Sequence, residues 1–444
     1  MSEIHGAIST ELGELPADWP VQRFDSLFAV QQGKQVSKAN RVGENQRPFL
    51  RTKNVSWGAL DLSDLDEMHF TEAEEERLTL HVGDLLICEG GDIGRTAIWR
   101  GTMPRCYHQN HLHRARLRDN AGDAQFALYW LWYAFEIGSV YFGRGNVTTI
   151  PNLSQSKLRE LPLPVPPLAE QRQIAGVLGV VQRAMEQQER LLALTAELKQ
   201  TLLHQLFTAG LRGEPQKQTD LGPVPQSWDM VPLGSLAKVG NGSTPKRDNE
   251  GYWQGGTIPW LNSAKIHERF ITEADQFVTA LATKECHLPR VKPGSLLIAI
   301  TGQGKTLGNS ALISFETCIN QHLAYAQFTT DKIVPEFVLW FMQTRYEHLR
   351  SISQAGGSTK GALTCGYLKT YPIPVPALDE QREIAKVFAA LEAKEKVHQR
   401  KQAALTALFR TLLHQLMTAQ LRVHDLDVAG LLDQAVPERK ADSP

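Results

Sequence analysis

The sequence predicts an α+β protein built as two half-molecules, each a mixed domain followed by a long helix, with the two helices paired as an intramolecular antiparallel coiled coil. Three observations carry this. Residues 164–212 return without a gap as residues 374–422. Pro164-Val165-Pro166-Pro167-Leu168-Ala169-Glu170-Gln171-Arg172 reappears as Pro374-Val375-Pro376-Ala377-Leu378-Asp379-Glu380-Gln381-Arg382, and Leu202-Leu203-His204-Gln205-Leu206 as Leu412-Leu413-His414-Gln415-Leu416, both at an offset of 210. An internal repeat of this length sets the architecture before any local reading. Within the repeated block the apolar residues step by four and three, as in a coiled coil. Outside it, short apolar runs alternate with glycine-rich loops, the pattern of a twisted sheet with its loops gathered at one side.

The elements follow in chain order: a first variable domain (1–163), a first helical region (164–212), a second variable domain (213–373), a second helical region (374–422) and a tail (423–444). The halves share a frame. Trp19 matches Trp228, Gly83-x-Leu85-Leu86-Ile87 matches Gly294-x-Leu296-Leu297-Ile298, His111-Leu112 matches His322-Leu323, and Pro162-x-Pro164 matches Pro372-x-Pro374. Most residues between these anchors differ. The runs 85–88 and 296–300 each follow a Gly turn and predict buried strands. Residues 126–135 and 337–342 predict short helices. Proline at 164, 166 and 167, and at 372, 374 and 376, leads into each long helix, where it is tolerated at a first turn. Glu170 and Glu380 there suit the helix dipole, and Gly210 is the expected stop. From 168 to 209 the first helix spans roughly 63 Å at about 1.5 Å per residue.

The expected seam is Ile174, Leu178, Val181, Met185, Leu202 and Leu206 on the first helix. On the second it is Ile384, Phe388, Leu405, Phe409, Leu412 and Leu416. Set antiparallel about Arg190 and Arg400, Ile174 faces Leu416, Leu178 faces Leu412, Val181 faces Phe409, Met185 faces Leu405, Gln188 faces Gln402, Leu202 faces Phe388 and Leu206 faces Ile384. Lys199–Leu391 and Leu192–His398 mix classes, and lysine there snorkels its charge to water. This register places the two variable domains at opposite ends of a helical spacer. A long amphipathic helix packed only on its own domain is the plainer alternative.

The chain of 444 residues is 42% apolar and 21% charged with a net charge of −1, in the range of soluble globular proteins. No run of about 18 apolar residues exists to span a membrane, and Met1-Ser2-Glu3-Ile4-His5 lacks the apolar core of a signal peptide. Five scattered cysteines form no C-x-x-C pair, which argues against a disulfide framework or structural zinc and for a reducing, cytoplasmic setting. Residues 1–163 hold 17 Lys+Arg against 21 Asp+Glu, a net of −4, and residues 213–373 hold 15 against 13, a net of +2. Any nucleic-acid binding therefore rests on local patches.

The chemistry-bearing patterns are few. Residues 299–306, Ala299-Ile300-Thr301-Gly302-Gln303-Gly304-Lys305-Thr306, nearly match a P-loop, so a P-loop nucleoside triphosphatase is the runner-up function. A real P-loop has Gly at the Ala299 position and opens a helix after Lys-Thr, whereas residues 307–313 look like a turn into another strand. His108-x-x-His111-x-His113 invites a metal, but the other half keeps only His322, with Ala324 opposite His113. No metal site is expected. There is no adenine-methyltransferase tetrapeptide, no methyl-donor glycine fingerprint and no nucleophile elbow. No catalytic residues are assigned. Recognition is favoured over catalysis, and a coiled-coil scaffold without a DNA role is a third reading.

Polar and basic residues gather in the variable loops. The first domain offers Lys34, Lys38, Arg51, Lys53, Asn54, Arg95, Gln109, Arg144 and Asn146. The second offers Thr244, Lys246, Arg247, Asn262, Ser263, Lys265, Gln303, Lys305, Gln321, Ser358, Thr359 and Lys360. Arg and Lys suit guanine edges and Asn and Gln suit adenine edges, so these are the candidate DNA contacts.

From Trp19 to Arg422 the chain resembles the specificity subunit of Type I restriction-modification systems. The two Pro-Val-Pro-x-Leu-x-Glu-Gln-Arg-x-Ile-Ala segments, the paired Leu-Leu-His-Gln-Leu segments and Trp253-Gln254-Gly255-Gly256-x-Ile258-Pro259-Trp260 carry the resemblance. In the first domain Arg47-Pro48-Phe49-Leu50-Arg51 stands in place of the last. The resemblance implies two target recognition domains, each reading one half of a bipartite double-stranded DNA site, and helices that set the half-site spacing. It also implies two modification subunits docked on those helices, which carry S-adenosylmethionine and methylate adenine, and, in some systems, a restriction subunit with motor and nuclease activity. This chain itself is expected to bind no cofactor and to be non-catalytic.

Overall fold

A computed structural model of the chain describes residues 7–118, 122–141, 152–302, 305–355 and 363–426. They fall into two compact units, Met1–Glu189 with Arg400–Pro444, and Arg190–Gln399. Each unit thus takes in one variable domain and half of each long helix. The helices that matter are α1 (Ala124–Trp132), α2 (Leu168–Ala209), α3 (Pro335–Thr344) and α4 (Leu378–Met417). The α2 bounds coincide with the predicted 168–209. No helix among the described residues is long and apolar enough to cross a membrane.

The first unit is built on strands β1 (Phe28–Gln32), β2 (Leu85–Cys88), β3 (Thr96–Ile98) and β4 (Leu112–Leu117), in the order β3-β2-β4-β1 with antiparallel neighbours. Every residue of β2 is buried, as an unbroken apolar run requires. A smaller sheet joins Tyr107–His108, Gln46–Leu50 and Asp66–His69. Helix α1 lies in the same apolar cluster as Leu85 and Ile87, and Asp123 caps it by accepting the Phe126 amide at 2.8 Å.

The second unit repeats this plan with β5 (Ala237–Asn241), β6 (Phe270–Ile271), β7 (Leu296–Ala299), β8 (Ser310–Ile313) and β9 (Leu323–Phe328), ordered β5-β9-β7-β8-β6. Its smaller sheet joins Gln276–Val278, Ile258–Leu261 and Cys318–Ile319. Pairing equates the halves residue by residue. Tyr107 and His108 sit parallel to Phe49 and Leu50, and Cys318 and Ile319 sit parallel to Trp260 and Leu261. Arg47–Arg51 therefore answers residues 258–262 and overlaps only the end of the Trp253–Trp260 segment. A side chain at Gly33 or Gly242 would strike the carbonyl of His108 (2.2 Å) or Ile319 (1.8 Å), so both halves keep glycine where the chain crosses that strand.

In each unit the two long helices pair antiparallel. In the first, Ile174 and Leu178 of α2 share a core with Phe409, Leu413, Leu416 and Met417 of α4, with Val181, Met185 and Leu412 packed against it. In the second, Leu203, Leu206 and Phe207 share a core with Ile384 and Phe388, with Leu202 and Leu391 packed against it. Phe207 stacks on Phe388 at 6.2 Å. Fully burying one such side chain contributes about 1.5–3 kcal/mol. Leu405 is half-buried. Lys199 differs from expectation. It does not snorkel; it is 5% exposed, and its ammonium bridges Glu392 at 3.3 Å and Glu395 at 2.6 Å.

The repeated Glu-Gln pair joins domain to helix. In the first unit the fully buried Trp19 donates Nε1–H to Glu170 Oε2 at 3.1 Å, and in the second Trp228 donates to Glu380 Oε2 at 3.2 Å. Gln171 donates to the Pro166 carbonyl at 2.7 Å and accepts the Asp123 amide at 2.9 Å. Gln381 donates to the Pro376 carbonyl and accepts the Val334 amide, both at 2.8 Å. Each glutamine thereby fixes its Pro-rich lead-in and the start of α1 or α3 together. The glutamates differ in their second partner. Arg422 forks onto Glu170 at 2.8 and 2.9 Å and onto Asp18 at 2.8 Å, and this hydrogen bond holds the Asp18 carboxyl below its ordinary range. Glu380 instead accepts the Leu211 amide at 3.0 Å, just past the helix stop at Gly210.

Glu170→Ala leaves the indole N–H and the guanidinium without their buried acceptor and is expected to destabilise the first unit by about 3 kcal/mol. Glu170→Gln, which keeps an acceptor for Trp19, is expected to cost roughly half of that. Urea unfolding followed by fluorescence measures both. A loss under about 1 kcal/mol for Glu170→Ala would show that the clamp carries little of the stability.

Candidate nucleic-acid interface

In the second unit two tryptophans build the loop that carries the basic candidates. Trp260 donates Nε1–H to the Ser243 carbonyl at 3.2 Å and Trp253 donates to the Lys246 carbonyl at 3.0 Å. The Arg247 guanidinium lies 3.8 Å from the Trp253 ring centroid and 5.0 Å from that of Trp260, and Arg247 donates to Gln276 at 2.7 Å. The result is an exposed, flat, oriented cation. Thr244 ties this loop to the next by donating to Gln321 Oε1. The Gln321 amide meets His322 Nε2 at 3.2 Å, and His322 Nδ1 meets Thr301 Oγ1. This chain of polar contacts ties the exposed Gln321 side chain to both neighbouring loops. Loops 243–247 and 320–322 and Thr301 are thus joined by polar contacts, and Lys246 and Lys305 are exposed.

Asn262, Ser263 and Lys265 are engaged within the fold. Lys265 bridges Glu268 at 3.0 Å and Asp275 at 3.1 Å. Asn262 caps the following turn by accepting the Ala264 amide at 2.8 Å, and Ser263 is half-buried in that turn. Gln303, Ser358, Thr359 and Lys360 lie outside the described residues. Among the described residues, 305–309 lead into β8, which is antiparallel to β7, and no helix starts after Lys305-Thr306. The segment therefore lacks the helix N-terminus that a P-loop uses to hold phosphate, and the triphosphatase reading is not supported.

The first unit presents the matching loops with their charge neutralised. Lys34 is bonded to Glu74 at 2.5 Å and to the His69 carbonyl at 2.8 Å. Arg51 pairs with Asp66, Lys53 with Asp64 at 2.5 Å, and Arg95 with Asp92 at 3.2 Å. Asn54 and Gln109 are buried, 2% and 7% exposed. Asn54 uses its amide on the Asp61 and Asp64 carbonyls, both at 3.0 Å. Lys38 is exposed, and Arg144 and Asn146 lie outside the described residues. His111, the counterpart of His322, meets Glu89 at 3.3 Å. The net charges of −4 and +2 thus have a local counterpart: carboxylates face Lys34, Arg51, Lys53 and Arg95 of the first unit, while Lys246, Arg247 and Lys305 enter none of the ion pairs among the described residues. The Thr301–His322–Gln321–Thr244 chain went unrecognised in the sequence; the repeated His-Leu at 111 and 322 was its only signal.

No group of three His, Cys, Asp or Glu among the described residues is placed to hold a metal. The histidine triplet is split instead. His108 and His113 are fully buried, and His113 Nε2 meets the Leu153 carbonyl at 2.8 Å, while His111 is at the surface.

Two tandem α+β units sharing two antiparallel helices, each displaying a polar loop surface, define a class of bipartite recognition protein. The family model described as the Type I restriction modification DNA specificity domain matches residues 16–196 and again 225–407, and the chain belongs to that family. It is 24% identical over 426 residues to the putative type I restriction enzyme MjaX specificity subunit of Methanocaldococcus jannaschii, covering 93% of this chain and 96% of the relative. It is 25% identical over 280 residues to the EcoR124I/EcoR124II specificity subunit of Escherichia coli, covering 61% and 63%. Its fold is that of the Type-I restriction-modification system S subunit from M. genitalium, with a TM-score of 0.57 at 20% identity over 90% of this chain and 96% of that one.

Burial pushes His108 down to about 3 and lowers His113 as well. An exposed imidazole titrates near about 6.5, so the unfolded chain binds protons that the folded unit refuses. The histidine contribution to stability is whole above about pH 6.5 and falls as the pH drops, by up to about 1.4 kcal/mol per pH unit for His108 down to about pH 3, with His113 acting in the same direction. The second unit has Ile319 and Ala324 at these positions. The double variant His108→Ile/His113→Ala is expected to flatten the pH dependence of the first unit's urea midpoint between pH 7 and 5. An unchanged slope in the variant would contradict this assignment.

Proposed function

We propose that this chain is the DNA-reading specificity subunit of a type I restriction-modification complex. Each unit reads one half of a bipartite duplex site, and the long helices set the spacing and dock two modification subunits. Those subunits supply S-adenosylmethionine and methylate adenine. A restriction subunit joins them where the system includes one. This chain contributes recognition and no bond-making step, and it works in the cytoplasm with its DNA.

The observation that carries the reading is the doubled frame with unlike loop surfaces. In the second unit Gln321 offers an oriented amide suited to an adenine edge, and Arg247 a flat guanidinium suited to guanine. Lys246 and Lys305 suit phosphates, which position the protein without reading sequence. Partner docking is supported by a second apolar stripe on α2, off the seam: Leu191, Leu194 and Leu198 are 42%, 51% and 49% exposed. These three residues share one helix face, and exposed apolar patches mark interaction surfaces.

The lone chain is expected to bind DNA without methylating it, with methyl transfer to adenine appearing when the modification subunit is added. Robust methylation by the contaminant-free chain would sink this assignment. Lys246→Ala and Lys305→Ala are each expected to weaken binding on all sequences alike and to lower the salt slope by about one, while Gln321→Ala costs about 1–3 kcal/mol at one base position.

Leu194→Glu/Leu198→Glu is expected to block assembly with the modification subunit while leaving the chain's own DNA affinity within about twofold. Equal loss of both would show that the stripe serves folding. A heptad inserted within 185–195 and another within 395–405 preserves the coiled-coil register and adds about 10 Å at about 1.5 Å per residue. It should lengthen the unspecified gap in the methylated site by up to roughly three base pairs.

A further inference from the structure

The contact of Trp19 or Trp228 with its glutamate holds each sheet at the first turn of a long helix. One such point leaves tilt to the apolar seam, whose attraction is not directional. A second polar joint lies further along each helix, at Gln182 of α2 and Glu392 of α4, which correspond at the repeat offset of 210. Each is three turns beyond Glu170 or Glu380, about 18 Å at about 1.5 Å per residue.

In the second unit Glu392 accepts Arg269 on one carboxylate oxygen at 2.6 Å and Lys199 on the other at 3.3 Å. Arg269 immediately precedes β6, the outer strand of the sheet, and Phe270 packs on Trp340 of α3 at 6.4 Å. The buried Trp340 ring has the Lys199 ammonium 6.0 Å and the Arg269 guanidinium 5.8 Å from its centroid. Sheet edge, short helix and both long helices thus meet at one carboxylate. Removing one partner of such a pair strands the other charge, so it resists the sliding that an apolar seam tolerates.

The first unit fills the same four places with neutral groups. Its hairpin of Val55–Ser56 and Ala59–Leu60 flanks β3 with Ala59–Leu60 where the second unit has β6, so Gly58 answers Arg269. Gln182 answers Glu392, Tyr129 answers Trp340 and Phe409 answers Lys199. The buried Gln182 accepts the Tyr129 hydroxyl at 2.7 Å and donates to the Gly58 carbonyl at 3.4 Å. Phe409 meets the Tyr129 ring edge-on at 6.0 Å. Gly58 has a φ of +74°, and a Cβ there would fall 2.5 Å from Gln182 Nε2, so this close approach requires glycine.

We infer that Gln182 and Glu392 are positioning residues for DNA reading. Together with the first joint they fix the tilt of each sheet on its helix, and thereby the gap at which the two half-sites are accepted. The inference rests on the function proposed above and adds the residues that hold the gap to one length.

Methylation by the full chain assembled with its modification subunit tests this, on duplexes that keep both half-sites with the parent gap or with one base pair fewer or more. Glu392→Ala and Arg269→Ala break one contact from its two sides. Each is expected to lower the preference for the parent gap by about tenfold or more, with the half-site bases unchanged and the double variant no worse than either single. Gln182→Ala is expected to do the same through the first unit. Leu297→Ala truncates a buried residue of a separate apolar cluster; it costs stability and is expected to keep the parent preference. Arg269, with its side chain 32% exposed, carries the test where Glu392→Ala does not fold. An undiminished preference in Arg269→Ala would overturn the inference and leave the proposed function standing. An equal loss in Leu297→Ala would overturn it too, by tracing the effect to stability alone. Failure of the unaltered complex to methylate any of these duplexes would overturn the proposed function itself.

Discussion

A buried indole N–H bonded to a buried carboxylate joins each recognition domain to its helix. Trp19 has no water to donate to, and neither does Trp228, so each needs an acceptor inside the protein. Glu170 and Glu380 supply it from the first turn of a long helix, where a carboxylate is favoured by the exposed amides of the helix end. The following glutamine then spends both ends of its amide on the Pro-rich lead-in and on the short helix over the sheet. One dipeptide thus fixes the angle between sheet and helix in each unit. The loops beyond the sheet are free to differ because this joint does not involve them.

The frame was legible in the sequence because it is periodic and repeated. Leu168–Ala209 and the 85–88 strand follow from apolar spacing alone, and the antiparallel pairing follows from matching the two stripes. The role of Glu170 was only half legible. Its place in a first turn suits a dipole, but nothing local points to Trp19, 151 positions away. Lys199 was misjudged for a related reason: Glu392 and Glu395 become its partners only once the helices are docked. Leu191, Leu194 and Leu198 stand off the seam, so attention to the seam passed over them.

On the loops, side-chain type alone does not show which groups already have a partner within the fold. Lys34, Arg51, Lys53 and Lys265 have the composition of DNA contacts, yet each already faces a carboxylate, and Asn54 is inside the domain. Charge pairing across loops is long-range in sequence and invisible to composition. The surface of Arg247 and Gln321 emerges only when two indoles and a histidine are seen beside it.

Independent reading by the two units is the heart of this account, and the methylated sequence reports on it directly. Residues 1–163 are replaced by the corresponding domain of a relative, and the chimaera is expressed with its modification subunit. Sequencing the methylated sites then compares both halves of the motif with the parent. The account predicts one half changed, the other half identical and the gap between them conserved. Changes in both halves would contradict it, since the shared frame would then transmit sequence preference from one unit to the other.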